Sequence, residues 1–132
     1  MKIKTSNLDR LFSQYIRTKA NFTCKACKKN SGIMDCAHIV SRRSTATRWF
    51  KANAVCLCRA CHMKFTADPF GWVEIVTDWM GEDKLQALRF LSHSGKPPKL
   101  LEKIAIGEAL IEKIKELGEK PVCGLGKNLK KG

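Results

Sequence analysis

Four of the seven cysteines form two pairs, each with two residues between its members. The pairs are Cys24-Lys25-Ala26-Cys27 and Cys58-Arg59-Ala60-Cys61. Two thiolates at this spacing can chelate one ion from a tight turn, and two such pairs complete a tetrahedral set of sulfur ligands that suits Zn²⁺. The sequence therefore predicts one structural zinc ion bound by Cys24, Cys27, Cys58 and Cys61.

The other cysteines leave alternatives open. Cys56 competes with Cys58 as a ligand, because strand alternation puts both side chains on one face, but the two-residue spacing favours Cys58 with Cys61. Cys36 and Cys56 are predicted to be small apolar core residues. The alternative for the whole set is that the cysteines are buried structural thiols that bind no metal. A thioredoxin-like redox pair is less favoured, because it needs a βαβ context that this sequence lacks.

Further residues that could act in catalysis or metal binding lie between and just after the two cysteine pairs. Asp35-Cys36-Ala37-His38 lies in the gap, Asn53 follows 15 residues after His38, and His62 directly follows Cys61. An imidazole changes its charge near neutral pH and can take a proton or bind a metal ion. A His, an Asn and a His in this order have the spacing of an HNH ββα-metal motif.

The combined run resembles the zinc-bearing HNH endonucleases of phages, and most of all the NinG/Rap family of phage recombination nucleases. The matching elements are Cys24-x-x-Cys27, Asp35-x-x-His38, Asn53 and Cys58-x-x-Cys61-His62, with Asn53 five residues before the second pair. The resemblance covers roughly residues 8–92 and leaves 96–132 uncovered. It implies an α+β fold with a small ββα-metal HNH core and a four-cysteine zinc site, flanked by an N-terminal helix and C-terminal helices. It also implies a DNA endonuclease active on branched recombination intermediates.

The chemistry of phosphodiester hydrolysis gives each residue a predicted role. His38 would be the general base that takes a proton from water, and His62 would bind a second divalent ion, Mg²⁺ or Mn²⁺, at the scissile phosphate. Asn53 would brace the loop or orient the His38 ring. Many HNH sites have a metal-binding residue directly before the base, where this chain has Ala37. Asp35 is the substitute ligand, although on a regular strand it faces away from His38 unless a bulge or turn intervenes.

Each of these residues also has a structural interpretation. His62 could support the zinc site, and Asn53 could cap a turn. His38 could be a structural residue of the strand whose ring is hydrogen-bonded within the fold. The alternative function is therefore a non-catalytic zinc-finger DNA-binding module with a decayed HNH site, which Ala37 favours. A weaker third hypothesis is an RNA-binding protein.

Positive charge is concentrated in the half that carries the motifs. The formal net charge is +13, and residues 1–64 hold 14 Lys and Arg against two acidic residues, while residues 65–132 hold 11 against 10. Such a surface favours a polyanion, because neutralised phosphates release their counterions. A solvated basic face is the alternative. The predicted DNA contacts are Arg42, Arg43 and Arg48 in the loop between the strands, and Lys25, Lys28 and Lys29 at the first cysteine pair.

Apolar periodicity predicts helices over 6–20, 59–65, 69–80, 82–92 and 99–117, and short strands near 33–39 and 53–57. Ser6 with Asp9 would cap the first helix. The buried sides are predicted to include Phe70 on the third helix and Leu101 on the last, with Trp49 and Phe50 buried from the loop. We divide the chain into a nuclease domain (1–95), a helical extension (96–120) and a basic flexible tail (121–132).

No apolar run approaches the roughly 20 residues that span a bilayer, and the first residues lack the apolar stretch of a signal peptide. We therefore expect a cytoplasmic protein with no membrane partner, or one in the host-cell cytoplasm if a phage encodes it. Cleavage of both strands of a junction needs two active sites, so a homodimer is a further hypothesis.

Overall fold

A computed structural model describes residues 3–126, which form five α-helices and a two-stranded antiparallel sheet. The helices are α1 (Thr5–Lys19), α2 (Arg59–Ala67), α3 (Pro69–Met80), α4 (Glu82–Ser94) and α5 (Leu100–Glu116), and the strands are β1 (Met34–His38) and β2 (Ala54–Cys58). All seven predicted elements are confirmed, with ends within two residues of those expected. The predicted tail is described only to residue 126, and 127–132 lie outside the described residues.

The two strands pair residue for residue. Met34 lies opposite Cys58 and His38 lies opposite Ala54, and the loop between the strands ends in a short 3-10 helix, Lys51–Asn53. Helix α2 begins directly after β2. The chain therefore has the predicted order of strand, strand and helix, with the second cysteine pair at the junction of β2 and α2.

One hydrophobic core joins the two ends of the chain. The five apolar residues predicted for the inner face of the first helix are all buried on α1: Leu8, Leu11, Phe12, Tyr15 and Ile16. They share a core with the sheet and with Leu110 and Ile114 of α5. The domain boundary at residue 96 stays a prediction. Helix α5, which follows that boundary, packs directly against α1. Among residues 3–126, no helix is long and apolar enough to cross a membrane.

The predictions that Phe70, Leu101 and Phe50 are buried are wrong. Phe70 is 90% exposed, Leu101 is 79% exposed and Phe50 is 43% exposed, whereas Trp49 is buried as expected. Helix α3 instead turns Trp72 inward, where its ring lies 5.4 Å from the ring of Phe65. Packing between α2, α3 and α4 selects that face of α3, and the first turn with Phe70 projects beyond it.

The predicted cap of the first helix is also wrong. Lys4 precedes α1 and gives no side-chain cap. The carboxylate of Asp9 instead accepts hydrogen bonds from the Arg48 guanidinium and from the indole nitrogen of Trp49. Asp9 therefore ties α1 to the loop between the strands, which a local capping rule does not anticipate.

Candidate functional site

The structure brings the four predicted zinc ligands together. The sulfur atoms of Cys24, Cys27, Cys58 and Cys61 all lie within 4.8 Å of one another, and those of Cys27 and Cys58 are 3.8 Å apart. Four sulfurs at about 2.3 Å from a tetrahedral Zn²⁺ are separated by about 3.8 Å. The donor set and its spacing therefore fit one structural zinc ion.

Both cysteine pairs use the same local geometry. The amide of Cys27 points at the sulfur of Cys24, and the amide of Cys61 points at the sulfur of Cys58, each at 3.5 Å. The first turn closes with Lys28 at a φ of 67°, and the second is the N-terminus of α2, which Cys58 caps. Amides that face the sulfurs favour thiolates, which are the form that binds metal.

The thiols of this cluster differ in acidity. Burial opposes ionisation of Cys24, but hydrogen bonds from the backbone amides of Cys27, Cys58 and Ala26 outweigh it and lower its pKa to about 6. Burial and hydrogen bonds with the other cysteines raise the pKa of Cys61 to about 12. The Cys24 thiolate thus forms readily and opposes ionisation of Cys61, and a bound cation would favour both thiolates.

Cys36 and Cys56 lie opposite each other in the sheet and do not belong to the four-sulfur cluster. Cys56 is buried, as predicted. Cys36 is only partly buried and lines a cavity beside His38 and His62. Burial raises the pKa of Cys36 to about 12, so it contributes a neutral thiol to that cavity wall.

His38 ends β1 with one ring nitrogen already engaged. Its Nε2 lies 2.9 Å from the carbonyl oxygen of Arg48. A carbonyl can only accept a hydrogen bond, so Nε2 carries the proton and Nδ1 is the nitrogen left to accept one. Burial lowers the pKa of His38, which keeps the ring neutral at neutral pH.

Asn53 is fully buried and braces the loop between the strands. Its Oδ1 accepts from the amide of Val40 at 2.7 Å, and its Nδ2 donates to the carbonyls of Val40 and Thr47 at 3.0 and 3.1 Å. Thr47 precedes Arg48, whose carbonyl holds the His38 ring. Of the two roles predicted for Asn53, the structure shows bracing of the loop. Asn53 does not bond to the His38 ring but holds the loop backbone whose Arg48 carbonyl bonds to it.

Asp35 meets His62 rather than His38. The register of β1 with β2 has no bulge, so Asp35 and His38 face opposite ways. Helix α2 brings His62 Nδ1 to 3.0 Å from the Asp35 carboxylate, which also accepts two hydrogen bonds from Arg59. The bonds to Arg59, followed by the bond to His62, lower the pKa of Asp35, which stays ionised. His62 Nδ1 therefore donates, and Nε2 is its free nitrogen.

His38 and His62 line the same cavity of about 420 Å³ between α1, β1, α2 and the loop, with Arg42 on its wall. Ser13, Cys36 and His62 also belong to a wider groove of about 870 Å³, which extends to Arg17 and Arg59. Sequence reasoning missed Arg17 and Ser13, whose spacing of one helical turn was the available signal. Arg17 Nε donates to the carbonyl and hydroxyl of Ser13, both at 3.2 Å.

The six predicted DNA contacts differ in availability. Arg42, with a side chain 62% exposed, lies 3.9 Å from Asp9 at the cavity, and Arg43 is exposed. Arg48 has a side chain only 19% exposed and is paired with Asp9, so its charge is already engaged within the chain. The remaining three, Lys25, Lys28 and Lys29, are exposed at the first cysteine pair.

Residues 3–126 contain one cluster of three or more metal-ligand side chains, and it is the four-cysteine cluster. At the histidine cavity, Nε2 of His62 and Nδ1 of His38 have no hydrogen-bond partner among residues 3–126, whereas both carboxylate oxygens of Asp35 already accept hydrogen bonds. A second ion would depend on phosphate and water for its other ligands. Mg²⁺ commonly keeps several waters, whereas an imidazole ligand suits transition ions such as Mn²⁺ better.

No family model, curated protein or solved structure matches the chain. The chain has a mixed α/β fold with a four-cysteine cluster suited to zinc and, next to it, a cavity lined by two histidines.

Proposed function

We propose that the chain is a metal-dependent DNA endonuclease of the HNH type, whose structural zinc holds the strand–strand–helix unit in place. The observation that carries the proposal is the pair of histidines in one cavity, each tethered through one ring nitrogen and free at the other. A base and a metal ligand are the two functions that phosphodiester hydrolysis requires of such a pair.

His38 is the general base in this proposal. A neutral ring with its proton on Nε2 presents Nδ1 to a water molecule, and the Arg48 carbonyl stabilises the positive charge that the ring gains when it takes the water's proton. Asn53 keeps that carbonyl in position through the loop. The hydroxide equivalent attacks phosphorus, and the bond to the leaving oxygen breaks.

His62 is the protein ligand of the catalytic ion, and Asp35 orients it. Carboxylate–histidine pairs fix the ring and raise its basicity towards a metal. An ion bound there supplies charge stabilisation for the phosphate and the leaving oxygen. Asp35 is thereby assigned to positioning rather than to direct ligation, because Arg59 already occupies both of its oxygens.

DNA is the proposed substrate because arginines lie on two sides of the cavity. Arg42 and Arg43 lie on the loop side, and Arg17 lies in the continuous groove on the α1 side. Guanidinium groups at both sides of the histidines can hold phosphates on both sides of the cleaved bond. Branched recombination intermediates are the substrate class that the family resemblance adds.

The test is nicking of supercoiled plasmid with added Mn²⁺ or Mg²⁺. We expect His38→Ala to lower the nicking rate by about 10²–10⁴-fold, as for loss of a general base, with unchanged DNA affinity. His93→Ala is the matched control, because His93 is exposed on α4, away from the cavity, and should nick like the wild type. Equal rates for the His38 and His93 variants would overturn the proposal.

The alternative is a DNA-binding module without catalysis. It is favoured by the engaged Asp35 carboxylate and by the absence of a second three-ligand cluster within residues 3–126. Under this hypothesis, the wild-type protein binds plasmid in a gel-shift assay and leaves it supercoiled with either ion. Nicking that requires His38 and His62 eliminates the alternative.

A further inference from the structure

A basic cavity lies away from the histidines. It has a volume of about 450 Å³ and is bounded by the C-terminal half of α1, the first cysteine pair, β2 and the 3-10 helix before it. It has no lining residue in common with the histidine cavity or the groove beside it. It therefore offers a binding surface that the proposed cleavage site does not use.

Four lysines surround this cavity and no acidic residue lines it. They are Lys19, Lys25, Lys28 and Lys51, and we call the cavity the four-lysine pocket. Within residues 3–126, none of the four forms an ion pair; the ion pairs of that range are made by Arg42, Arg48, Arg59 and His62. The pocket therefore has four lysines that no carboxylate of the described residues neutralises.

The zinc site accounts for only part of this charge. Lys25 and Lys28 flank the first cysteine pair and can offset the negative charge of four thiolates around Zn²⁺. Lys19 comes from the end of α1 and Lys51 from the 3-10 helix, so neither belongs to a cysteine pair. Both nevertheless line the same pocket.

Aromatic contacts hold two of the charges without neutralising them. The ammonium of Lys51 lies 5.0 Å from the ring centre of Tyr15, and that of Lys25 lies 5.5 Å from the ring centre of Trp79. Such cation–π contacts restrict a lysine while its charge stays available to an anion. The pocket floor is apolar, with Ile16, Ala54 and Val55. Its volume lies within the roughly 300–1,000 Å³ of typical ligand sites.

We propose that the four-lysine pocket binds the phosphates of a nucleic-acid strand segment other than the one at the histidine cavity. Ammonium groups contact the phosphates, and the apolar floor accommodates sugar or base. The proposal rests on the proposed function only in taking nucleic acid as the ligand. Because the two surfaces are separate, the domain holds two segments at once and favours DNA in which two segments lie close together.

The test compares two double variants with the same change of charge. Lys19→Gln/Lys51→Gln removes two charges from the pocket, and the control Lys84→Gln/Lys113→Gln removes two exposed charges from α4 and α5. Affinity for labelled duplex and branched DNA is measured by fluorescence anisotropy at several salt concentrations. Neither chelator nor divalent ion is added, so that zinc stays bound and DNA stays intact.

The pocket variant should bind about 10-fold more weakly, and the slope of log affinity against log salt should fall by about two, since each phosphate contact contributes about 0.9. The control should keep the wild-type slope and lie within about twofold of its affinity. Equal losses in the two doubles would reduce the pocket to general surface charge and overturn the proposal. Displacement of DNA by free nucleoside triphosphate at equal phosphate concentration would also overturn it.

A second measurement needs no variant. Lysine acetylation of the wild-type protein, read by mass spectrometry, should slow at Lys19 and Lys51 when DNA is bound and stay unchanged at Lys84 and Lys113. Unprotected Lys19 and Lys51 would contradict the proposal. Plasmid nicking at saturating protein separates this inference from the proposed function. If the four-lysine pocket does not bind DNA, the protein can still nick the plasmid. If the protein does not nick, bound DNA can still protect Lys19 and Lys51 from acetylation.

Discussion

The four-cysteine cluster and the histidine cavity share the junction of β2 and α2 but differ in completeness. The cluster has four ligands, all supplied by the chain, with Cys24 and Cys58 buried. The cavity has two imidazole nitrogens without a partner among residues 3–126, Nδ1 of His38 and Nε2 of His62. The carboxylate that lines it, Asp9, is bonded to Arg48 and Trp49, and the carboxylate that contacts His62, Asp35, is bonded to Arg59. A structural metal site is closed by protein, whereas a catalytic one leaves positions for water and substrate.

The dependence between the two regions runs in one direction. His62 follows Cys61 directly, and Arg59, which holds Asp35, lies between the two cysteines of the second pair. Loss of the metal cluster should therefore dismantle the cavity. Loss of a histidine should leave the cluster intact, because neither histidine belongs to it.

The largest effect is expected from Cys24→Ser. Structural zinc sites contribute apparent binding free energies of about 10–16 kcal/mol to folding, and Cys24 is fully buried among the ligands. We expect loss of the zinc and loss of cooperative thermal unfolding, measured by elemental analysis and circular dichroism. Cys123→Ser is the control, because Cys123 lies outside the cluster. This variant should keep one zinc per chain. A stable, metal-free Cys24 variant would refute the structural role of the cluster.

Asn53→Ala should have the next largest effect. It leaves the amide and carbonyl of Val40 without their partner, while the carbonyl of Thr47 still accepts from the amide of Phe50. Unsatisfied buried groups cost about 1–3 kcal/mol each. We expect the free energy of unfolding, from urea titration, to fall by about 2–4 kcal/mol. Zinc content should stay at one per chain while nicking declines.

Asn30→Ala is the matched control for this experiment, because Asn30 is exposed. It should unfold at the wild-type urea concentration. If the Asn53 variant were as stable as the Asn30 variant, the hydrogen bonds of Asn53 would not be needed to hold the loop that places the Arg48 carbonyl against His38. That result would contradict the role of Asn53 as a brace.

Asp35→Asn tests the proposed binding of a divalent ion at His62. A neutral amide orients His62 less well, and loss of such a partner typically costs 10–100-fold in metal affinity. The Mn²⁺ concentration that gives half-maximal nicking should rise by about that factor, with zinc content unchanged. Asp78→Asn, an exposed change on α3, should behave like the wild type. An unchanged Mn²⁺ requirement would remove Asp35 from the site.

The smallest expected effect concerns pH. In the proposed mechanism His38 must be neutral, and burial lowers its pKa below its ordinary value of 6.5. The single-turnover nicking rate should therefore fall on acidification with a midpoint below pH 6.5. Zinc content must be checked at each pH, because thiolates also take up protons. A midpoint above 6.5 would contradict a buried, neutral base.

Local spacing made much of this site predictable. Two residues between cysteines let one turn chelate one ion, and apolar residues at helical spacing identified the buried face of α1. The inward orientation of Trp72, which is partly buried beside Phe65, and the exposure of Phe70 could not be derived in this way. Helix α3 has apolar residues on more than one face, and contact with α2 and α4 decides which face is buried.

The sequence by itself determined the four sulfur ligands, the order of the elements and the excess of positive charge in residues 1–64, because each depends on residue type and short-range spacing. Only the tertiary structure decided that Asp35 pairs with Arg59 and His62, and that Asp9 engages Arg48. Those partners are 24 to 39 residues apart, and a carboxylate has many basic residues to choose from in this chain. The packing of α1 and α2 against the sheet makes that choice, since it decides which charges are close enough to bond.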